Sequence, residues 1–142
     1  MKEAIAGIRK SDLEALKTLI QRDPAITTQY DSDSKYLLHY AAEVGQSDFV
    51  RHILEIVRSL DLAHGLSGVL NAQTMKGSTP MMLAAEQGNQ EVVECLLREG
   101  ARLDIASRDG KNVLDYASHA GYTTIADLLI RNGAQVNDSR TF

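Results

Sequence analysis

The stretch "GNQEVVECLLREGA", Gly88 to Ala101, is nearly restated by "GYTTIADLLIRNGA", Gly121 to Ala134. The spacing extends beyond these two segments. Gly77 and Gly110, Ala84 and Ala117, Gly88 and Gly121, Leu96 and Leu129, Arg98 and Arg131, and Gly100 and Gly133 are each 33 residues apart. A fixed period of that size marks a repeat architecture, in which every unit is one supersecondary element that stacks on the next.

The chemistry of one unit predicts its shape. In "KGSTPMMLAAEQG", Thr79 is placed to cap a helix and Pro80 sits in the first turn, where its missing N–H is not needed. Gly88 ends that helix after about two turns, because glycine enters the left-handed region of a helix C-cap without steric penalty. A second helix follows in "NQEVVECLLRE": Val92, Val93, Leu96 and Leu97 recur at helical spacing, and Glu91, Glu94, Arg98 and Glu99 face away. Between units, "LNAQTMKGST" and "ARLDIASRDGKN" each carry a late glycine and suit an extended tongue with a tight turn. Neither helix can bury enough apolar surface alone, so the units must stack.

One place breaks the period. Gly45 and Gly88 are 43 residues apart, which puts ten extra residues between the second and third units. Phe49, Val50, Ile53, Leu54, Val57 and Leu60 continue a helical stripe past its usual stop, and Gly65 and Gly68 are expected to break the chain before Asn71 resumes the pattern. The simpler reading is a longer helix whose extra apolar surface packs on its own loop. The sharper one is an apolar patch of Leu60, Leu62, Leu66 and Val69 offered to a partner.

The composition is that of an ordinary globular domain: 142 residues, 44% hydrophobic and 24% charged. Fifteen Lys and Arg against nineteen Asp and Glu give a net charge of −4 without a basic block, which argues against nucleic acid as a partner. "MKEAIAGIRK" lacks the apolar core of a signal peptide, no later run is long enough to span a bilayer, and Cys95 stands alone. An intracellular, monomeric protein is expected, cytoplasmic or also nuclear, with no membrane contact. Asn137-Asp138-Ser139 has the form of a glycosylation acceptor, read as chance, and the polar tail "NDSRTF" is read as a natural end.

These motifs resemble the ankyrin-repeat family, whose unit runs glycine, any residue, Thr-Pro-Leu-His, then Ala-Ala, glycine, and paired leucines before Gly-Ala. The third unit carries it as "GSTPMMLAAEQG" and "CLLREGA", the second as "YLLHYAAEVG", and the fourth as "GKNVLDYASHAG" and "DLLIRNGA". "AIAGIRKSDLEALKTLIQRDPA" resembles an N-terminal capping repeat with no tongue before it, and Ser11 with Glu14 fits a capping box. His39 keeps the motif's histidine, which is Met82 in the third unit and Asp115 in the fourth. The resemblance implies an all-α solenoid of about four helix-turn-helix units joined by hairpin-like tongues. It implies one domain over 1–142, with units of roughly 1–29, 30–70 with the insertion at about 56–68, 71–104 and 105–142. Polar residues Lys17, Gln21, Arg22 and Asp23 at one end, and Arg131, Asn132, Asn137 and Asp138 at the other, suit terminal units.

No catalytic constellation emerges. The glycine of a phosphate-binding loop, five residues before Gly110-Lys111, is replaced by Ile105. "DSDSKY" starts like a calcium loop but has Tyr36 and Ala42 where glycine and glutamate are required. His39, His52, His64 and His119 lie in separate segments without zinc-ligand spacing, and Cys95 sits beside an apolar stripe as a small hydrophobe. His39 with Glu43, and His52 with Glu55, read as helical neighbours rather than acid–base pairs. A non-enzymatic module needing no cofactor or metal is therefore expected.

What the resemblance implies instead is binding of a partner protein through tongue tips and the concave face of the first helices, in the role of adaptor, scaffold or inhibitor. Carried over by position, this points to Ser32, Asp33 and Lys35, to Met75, Lys76 and Ser78, and to Arg108, Asp109 and Lys111 on successive tongues. On the helices it points to Glu43, Val44, Glu86, Gln87, His119 and Ala120. Lys76, Arg108 and Lys111 suggest acidic partner contacts near the tips. The alternative is a structural subunit or assembly chaperone that uses the apolar insertion after Leu54.

Overall fold

A computed structural model describes residues 1–60, 62 and 65–136. His64 and residues 137–142, with the glycosylation-like triplet, the tail and the polar pair Asn137 and Asp138, lie outside the described residues.

The helices come in antiparallel pairs. They are α1 (Lys2–Arg9) with α2 (Leu13–Arg22), α3 (Leu37–Val44) with α4 (Ser47–Ser59), α6 (Pro80–Gln87) with α7 (Gln90–Arg98), and α8 (Val113–Ala120) with α9 (Thr123–Arg131). A short α5 (Gly65–Leu70) lies between the second and third pairs. The inner helices α1, α3, α6 and α8 pack in a row, each against the next, and α2, α4 and α7 form the outer row. Leu16, Leu37, Leu38, Ile53, Leu54, Leu96 and Leu129 are fully buried in one core that runs the length of the stack. Each such leucine or isoleucine contributes about 1.5–3 kcal/mol by leaving water.

Local chemistry sets the helix starts. Thr79 Oγ1 accepts from the Met82 amide at 3.2 Å, and Asn112 Oδ1 accepts from the Asp115 amide at 2.9 Å. In α3, α6 and α8 the third helical residue accepts from the cap amide: His39 Nδ1 from Tyr36 N–H, Met82 Sδ from Thr79 N–H and Asp115 Oδ2 from Asn112 N–H. The reciprocal cap thus survives both replacements of the motif histidine. In the first pair the cap differs from expectation. Asp12, not Ser11, accepts from Ala15 N–H at 3.1 Å, because Ser11 occupies the turn at φ 57 and Asp12 takes the flanking position.

The tongues are hairpin turns whose bases are closed by Asp31 N–H to Lys35 O at 3.0 Å, Thr74 N–H to Ser78 O at 2.9 Å and Ser107 N–H to Lys111 O at 2.8 Å, each with a tighter bond at its tip, from Ser34, Gly77 and Gly110 N–H to Asp31, Thr74 and Ser107 O. Successive tongues are stitched by Met75 N–H to Asp33 O at 2.9 Å and Arg108 N–H to Lys76 O at 3.0 Å. Gly77 shows why glycine recurs here. It sits at φ 81, and a β-carbon on it would lie 2.7 Å from the Arg108 nitrogen of the next tongue.

The insertion corrects one expectation. Gly65 and Gly68 do not break the chain but lie inside α5, whose Val69 and Leu70 are buried against α4. That burial outweighs the helix propensity lost at two glycines. Of the proposed apolar patch, Val69 is buried, Leu60 and Leu66 are half-buried, and Leu62 is 52% exposed.

Candidate binding surface

The tongues and the inner helices bound a concavity of about 380 Å³. Its walls include Asp33, Lys35 and Glu43 on one side and Met75, Lys76 and Glu86 on the other, all anticipated from the sequence. Thr74, Ser78, Leu83 and Tyr116 complete it. Leu83 and Tyr116 were not among the anticipated residues. The signal was available: each precedes a variable helical position by three residues, Glu86 and His119 respectively, and so shares its helix face.

Of the remaining anticipated residues, Ser32, Arg108, Asp109 and Lys111 stand exposed on tongues. Val44, Gln87 and His119, with Ala120, stand exposed at the ends of inner helices, outside the concavity. Ser78 lines the concavity but is the most buried of the anticipated residues. It is 6% exposed, because its backbone closes the tongue base with Thr74 and its carbonyl also lies 3.2 Å from His39 Nε2. Its side chain therefore offers almost no surface to a partner.

A polar network braces the first tongue. The Asp31 carboxylate accepts from the Asp33 and Lys35 amides at 2.9 and 3.0 Å and from the Tyr40 hydroxyl. Burial works against the charged form of Asp31, yet the hydrogen bonds from Tyr40, Lys35 and Asp33 outweigh it and hold the carboxyl below its usual range. Burial and the same carboxylate push the Tyr40 hydroxyl up to about 12. Lys35 is half-buried, with its Nζ 4.3 Å from the Tyr40 ring centre and 3.1 Å from Glu43 Oε2. Two residues assigned to partner contact thus hold each other.

Two further reactive side chains, His39 and Cys95, are occupied by structure. His39 is fully buried, with Nε2 2.9 Å from the Ala72 carbonyl oxygen, so it forms no acid–base pair with Glu43. Cys95 is buried, and that burial pushes its thiol above the usual range. Among the described residues no group of three or more His, Cys, Asp or Glu is placed to hold a metal ion, and no helix is long and apolar enough to cross a membrane.

Paired helices in two rows, stitched tongues and reciprocal caps define an ankyrin-type solenoid. A family model for ankyrin repeats, in three copies, matches residues 51–140, and the chain belongs to the ankyrin-repeat family. It is 31% identical over 106 residues to human transient receptor potential cation channel subfamily A member 1, which covers 75% of this chain and 9% of that protein. It is 30% identical over 119 residues to the Arabidopsis thaliana E3 ubiquitin-protein ligase KEG, covering 83% of this chain and 7% of the ligase. To the rat nuclear factor NF-kappa-B p105 subunit it is 30% identical over 118 residues, 82% of this chain and 12% of that protein. The chain thus spans only a small fraction of the length of these relatives. Ankyrin repeats generally serve as protein–protein interaction modules, and that is the class of function the family carries.

Proposed function

We propose that the chain is a single, non-enzymatic ankyrin domain of four units, acting as an intracellular adaptor, scaffold or inhibitor. It binds a partner protein through its tongue tips and concave face. The observation that carries this reading is the concavity itself, in which exposed, chemically varied side chains gather on a rigid frame of stitched tongues and packed helices. Met75, 51% exposed at a tongue tip, supplies an apolar contact, and Lys76, Arg108 and Lys111 supply positive charge around it. Such a layout of a small apolar centre within a charged rim suits steering and register of a protein partner. A subunit role built on the insertion has less support, since Val69 and Leu70 are consumed by the core.

The test is capture of partners on the wild-type chain and on the triple variant Lys76→Glu, Arg108→Glu, Lys111→Glu, with the melting temperature of both recorded. Partners retained by the wild type and lost by an equally stable variant support the tongue-tip reading. Partners retained equally by both remove the tips from the interface.

A further inference from the structure

The concave face carries a charge pattern that deepens the groove reading proposed above and rests on it. In each of three units a tongue residue and an inner-helix residue stand eight positions apart: Lys35 and Glu43, Ser78 and Glu86, Lys111 and His119. In the first pair the ammonium and the carboxylate meet at 3.1 Å and neutralise each other. In the second Ser78 is buried and carries no charge, so Glu86 stands exposed with no ion-pair partner among the described residues. In the third both side chains are of basic type and both are exposed.

The neighbouring charges keep the same sense. Asp33, Lys35, Glu43, Lys76 and Glu86 line the concavity and leave it one net negative charge. Arg108, Asp109 and Lys111 leave the next tongue one net positive charge. Leu83, Tyr116 and Met75 add apolar surface to the concavity. A volume of about 380 Å³ lies at the low end of the roughly 300–1,000 Å³ range of ligand pockets, enough for a side chain or two but not a folded surface.

Neighbouring tongues are stitched to one another, so a segment lying along them passes from the third unit to the fourth. We propose that the groove takes an extended segment of a partner protein with a basic residue at Glu86 and an acidic residue further along, at Lys111 on the following tongue. An apolar side chain between them seats against Leu83, Tyr116 and Met75.

The probe is a displayed library of random linear peptides, selected on the wild-type chain and then measured on the charge-exchanged chain Glu86→Lys, Lys111→Glu. Both exchanged side chains are exposed, and an unchanged melting temperature checks that the fold is intact. The selected peptides are expected to carry a basic and an acidic residue flanking an apolar one. They are expected to lose about tenfold in affinity for the exchanged chain, and to recover it when their own two charges are exchanged. Equal affinity for both chains overturns the proposal.

A third chain, Met75→Asp, separates the two levels. Peptides that ignore the charge exchange but lose binding to Met75→Asp leave the groove reading standing and remove the charge assignment. Peptides indifferent to both changes remove the groove as well. Failure to select any peptide rejects an extended segment as occupant, while partner capture sensitive to the tongue-tip charges would still support the broader reading.

Discussion

His39 Nε2 lies 2.9 Å from the carbonyl oxygen of Ala72, 33 residues further along the chain, and ties the start of one inner helix to the base of the next tongue. Nδ1 accepts from Tyr36 N–H, so the neutral ring carries its proton on Nε2 and donates to the carbonyl. Burial drives the His39 pKa down to about 4 from 6.5. The unfolded chain therefore binds more protons than the fold between those values, and the stability contributed by the neutral ring, full above pH 6.5, is lost as pH falls towards 4. Between pH 7 and pH 5 the loss is about 2 kcal/mol. Urea midpoints measured across that range on the wild type and on His39→Gln check it. The variant is expected to be less stable at pH 7 and to show a flatter pH slope, and equal slopes would show that His39 does not set the dependence.

Ser34 holds φ 57 at the tongue position that Gly77 and Gly110 occupy in the following units, at φ 81 and φ 76. A side chain in that region costs about 1–2 kcal/mol, against a smaller gain from the stiffer unfolded chain. Ser34→Gly is expected to stabilise the protein by up to about 1 kcal/mol and raise its melting temperature. Ser34→Val is expected to lower it. A Gly variant less stable than the wild type would mean that the Ser34 hydroxyl does more for the fold than its backbone costs.

How legible this molecule is depends on how local the deciding interaction is. Thr79, Pro80 and Gly88 act within one turn of chain, and their roles could be read directly. Ser11 and Asp12 are adjacent cap candidates, and the choice between them depends on the turn from α1, which no local motif encodes. Gly65 and Gly68 looked like breakers because the gain that overrides them, burial of Val69 and Leu70, is tertiary. Ser78 looked variable and free because Lys35 and Lys111 occupy its place in the other tongues, whereas it is buried, with its carbonyl beside His39, 39 residues earlier. That Leu83 and Tyr116 line the groove could not be read, because hydrophobicity alone does not say which face of an inner helix turns to it.

Gly88 and Gly121 end equivalent helices at φ 77 and φ 85 but have different surroundings. A β-carbon on Gly88 would lie 2.6 Å from the Tyr122 ring, while one on Gly121 meets nothing within 4 Å. Gly121→Val then carries the backbone cost alone, about 1–2 kcal/mol, and Gly88→Val adds displacement of Tyr122. Thermal melts of the two single variants and of each combined with Tyr122→Ala test the assignment. Removing the ring is expected to rescue part of the loss at Gly88 and none at Gly121. Equal rescue at both sites would count against the ring contact.

Asn89 follows that glycine and reaches back across the unit boundary. Its Nδ2 donates to the carbonyls of Ala42 and Glu43 at 2.8 and 3.1 Å, satisfying two acceptors at the C-terminal end of α3 that have no helical partner of their own. Equivalent positions do other work: Gln46 Nε2 reaches Ser11 Oγ at 3.3 Å, and Tyr122 lies against Gly88. Asn89→Ala therefore removes a bond set peculiar to the boundary between the second and third units, at a cost of about 1–2 kcal/mol. Because each unit touches mainly its neighbours, the loss is expected to concentrate there rather than spread evenly. Native-state hydrogen exchange should show faster exchange in α3, α4, α6 and α7 and smaller changes in α1 and α9. A uniform loss of protection along the chain would mean that the stack opens as one cooperative body, with Asn89 stabilising the whole rather than one boundary.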